Sequence, residues 1–228
     1  MPVDEGLTRR ENRRENQPGA GERVRTGRRN RVRPDGELVA DPGRGLFWGN
    51  RGSLLGAGGQ PTRKPSTRAW VCCVLEFKDW WRVQWQPGRL TELYFLDEAT
   101  ALAAGHRPCG LCRVPDYRRF QRSWADTLGG GLPGAPEMDS RLQADRRTPD
   151  GRQRTFRAAA GDLPDGAFVR LDGEAGLMRQ GCWRPWSMAG YGAARAVAPD
   201  LRVEVLTPAV TVQVLVGGYA PVLHPSAG

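Results

Sequence analysis

One stretch, FLDEATALAAGHRPCGLC (residues 95–112), constrains the fold more than any other part of this chain. It joins a strand-like apolar run, ELYFL (92–96), to a short helix whose start and stop are both written in side chains. Asp97 is a good N-cap, Glu98 sits in the first turn where it favours the macrodipole, and Ala and Leu fill the body. Gly105 is the expected residue just past the helix, with Pro108 soon after it. Cys109 and Cys112 therefore follow the end of a helix. A redox Cys-x-x-C usually opens one, so this placement disfavours redox chemistry and suits a metal knuckle, in which two thiolates turn toward one ion about 2.3 Å away.

A structural zinc normally takes four ligands. The available partners are Cys72 and Cys73, His106, Cys182 and His224. Cys72 and Cys73 lie in RAWVCCVLEFK (68–78), a strand by its bulky, β-branched character, so they point to opposite faces and one at most can join the knuckle. His106 stands three residues before Cys109, close enough to contribute. Three readings stay open: a structural zinc on Cys109, Cys112, one of Cys72 and Cys73 and a fourth group; a zinc fold now held by packing alone; and a redox dithiol.

Residues 95–113 resemble the second half of the metal-binding module of Ada-type alkylation-repair proteins, a pattern also found appended to some nucleases. In that family a strand and an alanine-rich helix lead into aromatic-Arg-Pro-Cys-x-x-Cys, which gives two of four cysteine ligands to zinc. The resemblance places Cys109 and Cys112 on that pair and His106 on the aromatic position, which is not a ligand there. The family's upstream Cys-x-x-x-Cys has no counterpart here, and the adjacent Cys72-Cys73 stands in its place.

The rest of the chain reads as α+β: a small zinc-knuckle module followed by a β-rich module. Residues 1–29 lack apolar periodicity and are expected to form a disordered basic arm. The zinc module is expected over 30–127, a Gly/Pro linker over 128–138 and the β-rich module over 139–228. Within these, GELVA, GLFWG and ELYFL predict strands, residues 70–85 a hairpin, and 116–124 a helix with Tyr117, Phe120 and Trp124 on one face. Residues 207–216 carry Thr207 and Pro208 as a helix start, yet their alternating valines fit a strand equally well.

No run approaches the roughly 18 apolar residues of a membrane span, and the first residues are polar and arginine-rich, so a cytoplasmic protein without membrane association is expected. The formal charge is +9, and all but two of the 34 basic residues are Arg. That charge points to a polyanionic partner, nucleic acid and DNA before RNA. Arg118, Arg119 and Arg122 share the polar face of the helix after the knuckle and are the expected phosphate contacts. WRPWSMAGYG (183–192) offers Arg184, Trp186 and Tyr191 as a base-stacking loop, against the plainer reading that such rings anchor a small core. GRGLFWGNRG (43–52) is glycine-rich but matches neither phosphate-loop fingerprint. Two histidines and no local triad give no signal for catalysis. The function expected is zinc-stabilised nucleic-acid binding, in repair or regulation, with a metal-dependent nuclease and a zinc-stabilised protein-interaction module as alternatives.

Overall fold

A computed structural model describes residues 27–62, 64–80 and 83–228. Most of the arm expected over 1–29 lies outside them. The chain is α+β, built on two sheets and four α-helices among the described residues. The first sheet comprises β1 (Arg31–Val32), β2 (Leu38–Val39), β3 (Phe47–Asn50), β4 (Val71–Val74), β5 (Leu93–Phe95) and β6 (Arg107–Pro108), in spatial order β2-β1-β5-β3-β4-β6. Between its last two strands runs α1 (Glu98–Ala103). Helices α2 (Val114–Leu128) and α3 (Ala135–Arg146) follow. The second sheet is an antiparallel meander of β7 (Phe156–Ala159), β8 (Phe168–Leu171), β9 (Glu174–Arg179), β10 (Cys182–Ser187) and β11 (Gly190–Tyr191), with β12 (Arg195–Ala196) on β10 and β13 (Arg202–Val205) between β7 and β8. Helix α4 (Ala209–Val216) completes the fold. No helix among the described residues is long and apolar enough to cross a membrane.

Helix α1 starts as its sequence dictates. Asp97 has extended backbone and accepts hydrogen bonds from the Thr100 amide (2.9 Å) and hydroxyl (2.7 Å). All six helical residues are buried, which small Ala side chains permit because other elements can then close on every side. Leu96, Ala99 and Ala103 pack with Phe168, Leu177 and Tyr191 of the second sheet; Leu102 packs with Phe120, Leu142 and Val214 of the other helices. Ala101 and Ala104 pack with Phe47 and Phe95 of the first sheet. One short helix thus joins three apolar clusters.

The acid pair at its start is more than a cap. Asp97 Oδ2 also accepts from the Tyr191 hydroxyl (2.7 Å) and the His224 amide (3.1 Å). Glu98, fully buried, accepts from the Tyr219 hydroxyl (2.5 Å) and the Val222 amide (2.9 Å), and pairs with Arg113 Nη1 at 2.8 Å. These contacts hold the last ten residues of the chain against the helix that precedes the cysteine knuckle.

Three expectations change. The hairpin over 70–85 does not form: β4 pairs with β3 and β6, and no strand lies among the described residues of 75–90. The run Ala209–Val216 is helical despite its valines, since Pro208 opens it, Gly217 and Gly218 close it, and Val210, Thr211, Val214 and Leu215 are buried at helical spacing. Helix α3 begins inside the segment read as a linker over 128–138, and its Met138 and Leu142 are fully buried against the other helices.

Glu98→Ala removes one of the two carboxylates on the buried Arg113 guanidinium, leaving Asp116 at 2.9 Å, and takes the acceptor from the Tyr219 hydroxyl and the Val222 amide. Breaking a buried pair in this way is expected to lower unfolding free energy by about 3–5 kcal/mol. Chemical denaturation followed by tryptophan fluorescence measures it, and a loss below about 1 kcal/mol would show that the pair is not part of the clasp.

Candidate metal centre

The knuckle is set by one glycine and two short parallel strands. Gly105, at φ +83°, lets the chain leave α1 in a left-handed turn with its Cα against Arg146. The His106 amide then donates to Ala101 O at 2.9 Å and the chain lies beside β4, Val71 opposite Arg107 and Cys72 opposite Pro108. The Cys109 amide donates to Cys72 O (2.9 Å), and a tight turn through Gly110 is closed by the Arg113 amide on Cys109 O (3.0 Å). Pro115 follows in the first turn of α2, where its missing N–H costs no helical hydrogen bond.

This path brings the Sγ atoms of Cys73, Cys109 and Cys112 within 4.8 Å of one another. Cys73 is buried, and Cys109 and Cys112 are half-buried. The neighbouring Cys112 and Cys73 thiols, with the Leu111 and Cys112 amides, hold the Cys109 thiol far below its usual range. Contact with Cys109 and Cys112, with burial, drives Cys73 in the opposite direction. The cluster therefore favours one thiolate and resists the second and third. A cation at the centre would remove that resistance, and three soft sulfur donors are the set that zinc-like ions prefer. The three thiols could hold a metal ion.

The other cysteines and histidines lie elsewhere. Cys72, on the opposite face of β4, packs in the core of the first sheet with its sulfur 3.5 Å from Arg113 Nη1. Burial pushes its thiol well above the ordinary value, which keeps it neutral. His106 uses both ring nitrogens: Nδ1 faces Ala101 O at 3.2 Å and Nε2 accepts from Arg51 Nε at 3.3 Å. Its ring packs edge-on against Phe95 (4.7 Å) and beside Trp70 (5.2 Å), and burial first, then Arg51, depress its pKa and keep it neutral. It is a core histidine and joins no cysteine cluster. Cys182 sits half-buried on β10 of the second sheet, and His224 Nδ1 lies 2.8 Å from Ser226 Oγ.

Helix α2 presents its basic face to solvent. Arg118, Arg119 and Arg122 are exposed; Arg119 is engaged by Asp116 and lies over the Tyr219 ring. Neither Arg118 nor Arg122 has an ion-pair partner among the described residues. The aromatic loop expected at 183–192 is instead the β10–β11 hairpin. Trp186 donates its indole N–H to Thr100 Oγ1 at 3.0 Å and packs on the α1 cluster; Tyr191 is buried on Asp97. Both rings are thereby committed to the interior, and Arg184 is half-buried beside Gly228. No base-stacking platform is formed by these residues.

Cobalt(II) added to the reduced protein is expected to give thiolate-to-metal charge-transfer absorption, lost in Cys73→Ser and Cys109→Ser and kept in Cys72→Ala. Equal spectra for Cys73→Ser and Cys72→Ala would remove Cys73 from the site. No protein family, curated protein or solved structure matches this chain, so the reading of the site rests on its own geometry.

Proposed function

We propose that the chain is a zinc-stabilised nucleic-acid-binding protein, with double-stranded DNA as its partner and the solvent face of α2 as its contact surface. The observation that carries this reading is the juxtaposition of the three-thiol cluster with the arginine-bearing helix that begins two residues after Cys112. Cys73, Cys109 and Cys112 would hold the zinc through their thiolates, Cys73 from the buried strand and the other two from the half-buried turn. Zinc bound there supplies a crosslink between β4 and the turn before α2. Because α2 starts from that turn, the crosslink fixes the direction of its first residues.

The part played by the chain's own side chains is electrostatic. Arg118 and Arg122 are one helical turn apart on one face, and a guanidinium there can pair with a phosphate oxygen through two donors. Asp116 draws Arg119 sideways, which leaves Arg118 and Arg122 as the primary contacts. Contacts of this kind position a duplex without reading its sequence, so the expected binding is tight at low salt and weak in sequence preference.

Two measurements test this. Replacing Arg118 and Arg122 by Gln is expected to weaken duplex binding and to reduce the slope of log K against log salt by about 2, since each phosphate contact contributes about 0.9. Unchanged affinity and slope in a fluorescence-anisotropy titration would sink the α2 assignment. Zinc analysis of the purified protein should give one ion per chain, and chelation should lower both the melting temperature and the affinity for DNA. Purified protein that folds fully and retains no zinc would reject the metal half of the reading.

A further inference from the structure

A second basic feature lies away from α2. Between the two sheets is a cleft of about 910 Å³, a size typical of small-molecule sites. It is walled by residues 35–38, by the loop after α3 and by β8 and β13. Six arginines line it against three carboxylates, and two of those are already engaged, Asp35 by Arg33 (3.2 Å) and Glu204 by Arg170 (3.1 Å). Its inner wall includes Arg51, the last residue of the GRGLFWGNR run.

Arg51 is 2% exposed and has no carboxylate within ion-pair distance among the described residues. Its Nη1 donates to Gly36 O at 2.8 Å and its Nε to His106, but its Nη2 is buried with no hydrogen-bond partner. It stacks on Trp70, its guanidinium carbon 4.2 Å from the ring centroid. Arg146 stacks on the same ring at 3.9 Å, and Arg147 lies 5.4 Å from it. Arg146 spends its donors on Gly105 O, Arg68 O and Gln143. Three guanidinium groups thus crowd one indole, and their only nearby histidine is neutral. Burial, followed by the charges of Arg147 and Arg146, makes the Arg51 cation costly and Asp35 offsets only part of this; burial, against the pull of Asp139, lowers the Arg146 pKa to about 9. Interiors rarely keep unpaired charges, and arginines keep theirs, so the shortfall is one of negative charge.

We propose that this cleft binds a small phosphorylated molecule, its phosphate held by Arg51 and Arg147. A phosphate offers several acceptor oxygens to a planar fork of donors, the geometry that guanidinium groups match best. Arg51 supplies an unused donor from a position fixed by stacking and by Gly36. Arg147, half-buried at the head of the loop, faces the same space. Loop 147–153 is itself closed by Thr148 on Arg152 O (2.9 Å) and by the Arg147–Gln153 bridge. Gln153 Nε2 anchors it by donating to Pro34 O (3.1 Å) and Leu206 O (2.9 Å), which ties the loop to both sheets' segments. Of the outer arginines, Arg152 is paired with Asp150 (2.6 Å) and Arg170 with Glu204, but Arg29 and Arg154, among the described residues, donate only to the Leu38 and Ala144 carbonyls and suit a ligand carrying more than one phosphate.

The intact protein, titrated calorimetrically with pyrophosphate, ATP and sulfate at low salt, tests the site. Pyrophosphate and ATP are expected to bind and to raise the melting temperature, with sulfate far weaker. Arg147→Gln should weaken both by about tenfold or more, the worth of one charge-assisted hydrogen bond. Arg51→Lys, which keeps the charge but loses the fork, should weaken them similarly while retaining the fold, as judged by circular dichroism. Arg141→Gln, on α3 outside the cleft, should bind them as the native protein does. Tighter binding of ATP than of pyrophosphate would assign a nucleotide to the site; equal affinity would assign the diphosphate group alone. Absence of binding by both probes, or equal binding by Arg147→Gln, overturns the proposal. It is overturned equally if only an oligonucleotide binds and Arg147→Gln loses it, because the cleft would then belong to a polymer.

Discussion

The fold depends on two adjacent buried carboxylates. Asp97 and Glu98 between them accept from two tyrosine hydroxyls, two backbone amides near the C-terminus, the helix they cap, and one arginine. Charged groups buried this deeply are tolerated only when nearly every lone pair has a donor, and here the donors come from segments more than 90 residues apart in sequence. The pair therefore acts as a checkpoint on assembly. The second sheet, the C-terminal segment and the residue that opens α2 must all be in place before both carboxylates are satisfied.

Much of the first half was legible because local rules and tertiary structure agree there. Asp97 caps, Gly105 takes a left-handed conformation, and Tyr117, Phe120 and Trp124 share a helix face, each for the reason its chemistry suggests. Strand alternation also allowed one at most of Cys72 and Cys73 to face the knuckle, without saying which. What was not legible depended on distant partners. Asp97 and Glu98 read only as capping residues, since nothing local announces a tyrosine 94 positions away. The Trp186 and Tyr191 rings looked available for stacking until Thr100 and Asp97 were found to hold them. The arginines around Trp70 come from residues 51, 146 and 147, and no sequence window contains them together.

The protein shows two ways of handling concentrated charge. At the cysteine cluster, like charges would build up on three sulfurs, and a cation held there would relieve the strain and crosslink the chain. Around Trp70 the excess has the opposite sign, and π-stacking on one indole offsets part of it. The two centres are neighbours along one segment: Trp70 immediately precedes the strand Val71–Val74 and Cys73 lies within it. His106 belongs to the guanidinium side: neutral, it faces Ala101 O with one ring nitrogen and accepts from Arg51 with the other.

The doubled cysteine of β4 has an implication for how this sheet finds its alignment. Were the strand to shift by one residue, a thiol would still face the knuckle and a thiol would still enter the core. The pair is blind to the difference, so a metal could not proofread it. Discrimination falls to Gly49, which lies opposite Cys72 where a Cβ would stand 2.0 Å from Val71 O. A slipped strand would bring Trp48 or Asn50 to a place with no room for a side chain. An atom that is missing, and not the sulfur that is present, decides which cysteine faces the knuckle.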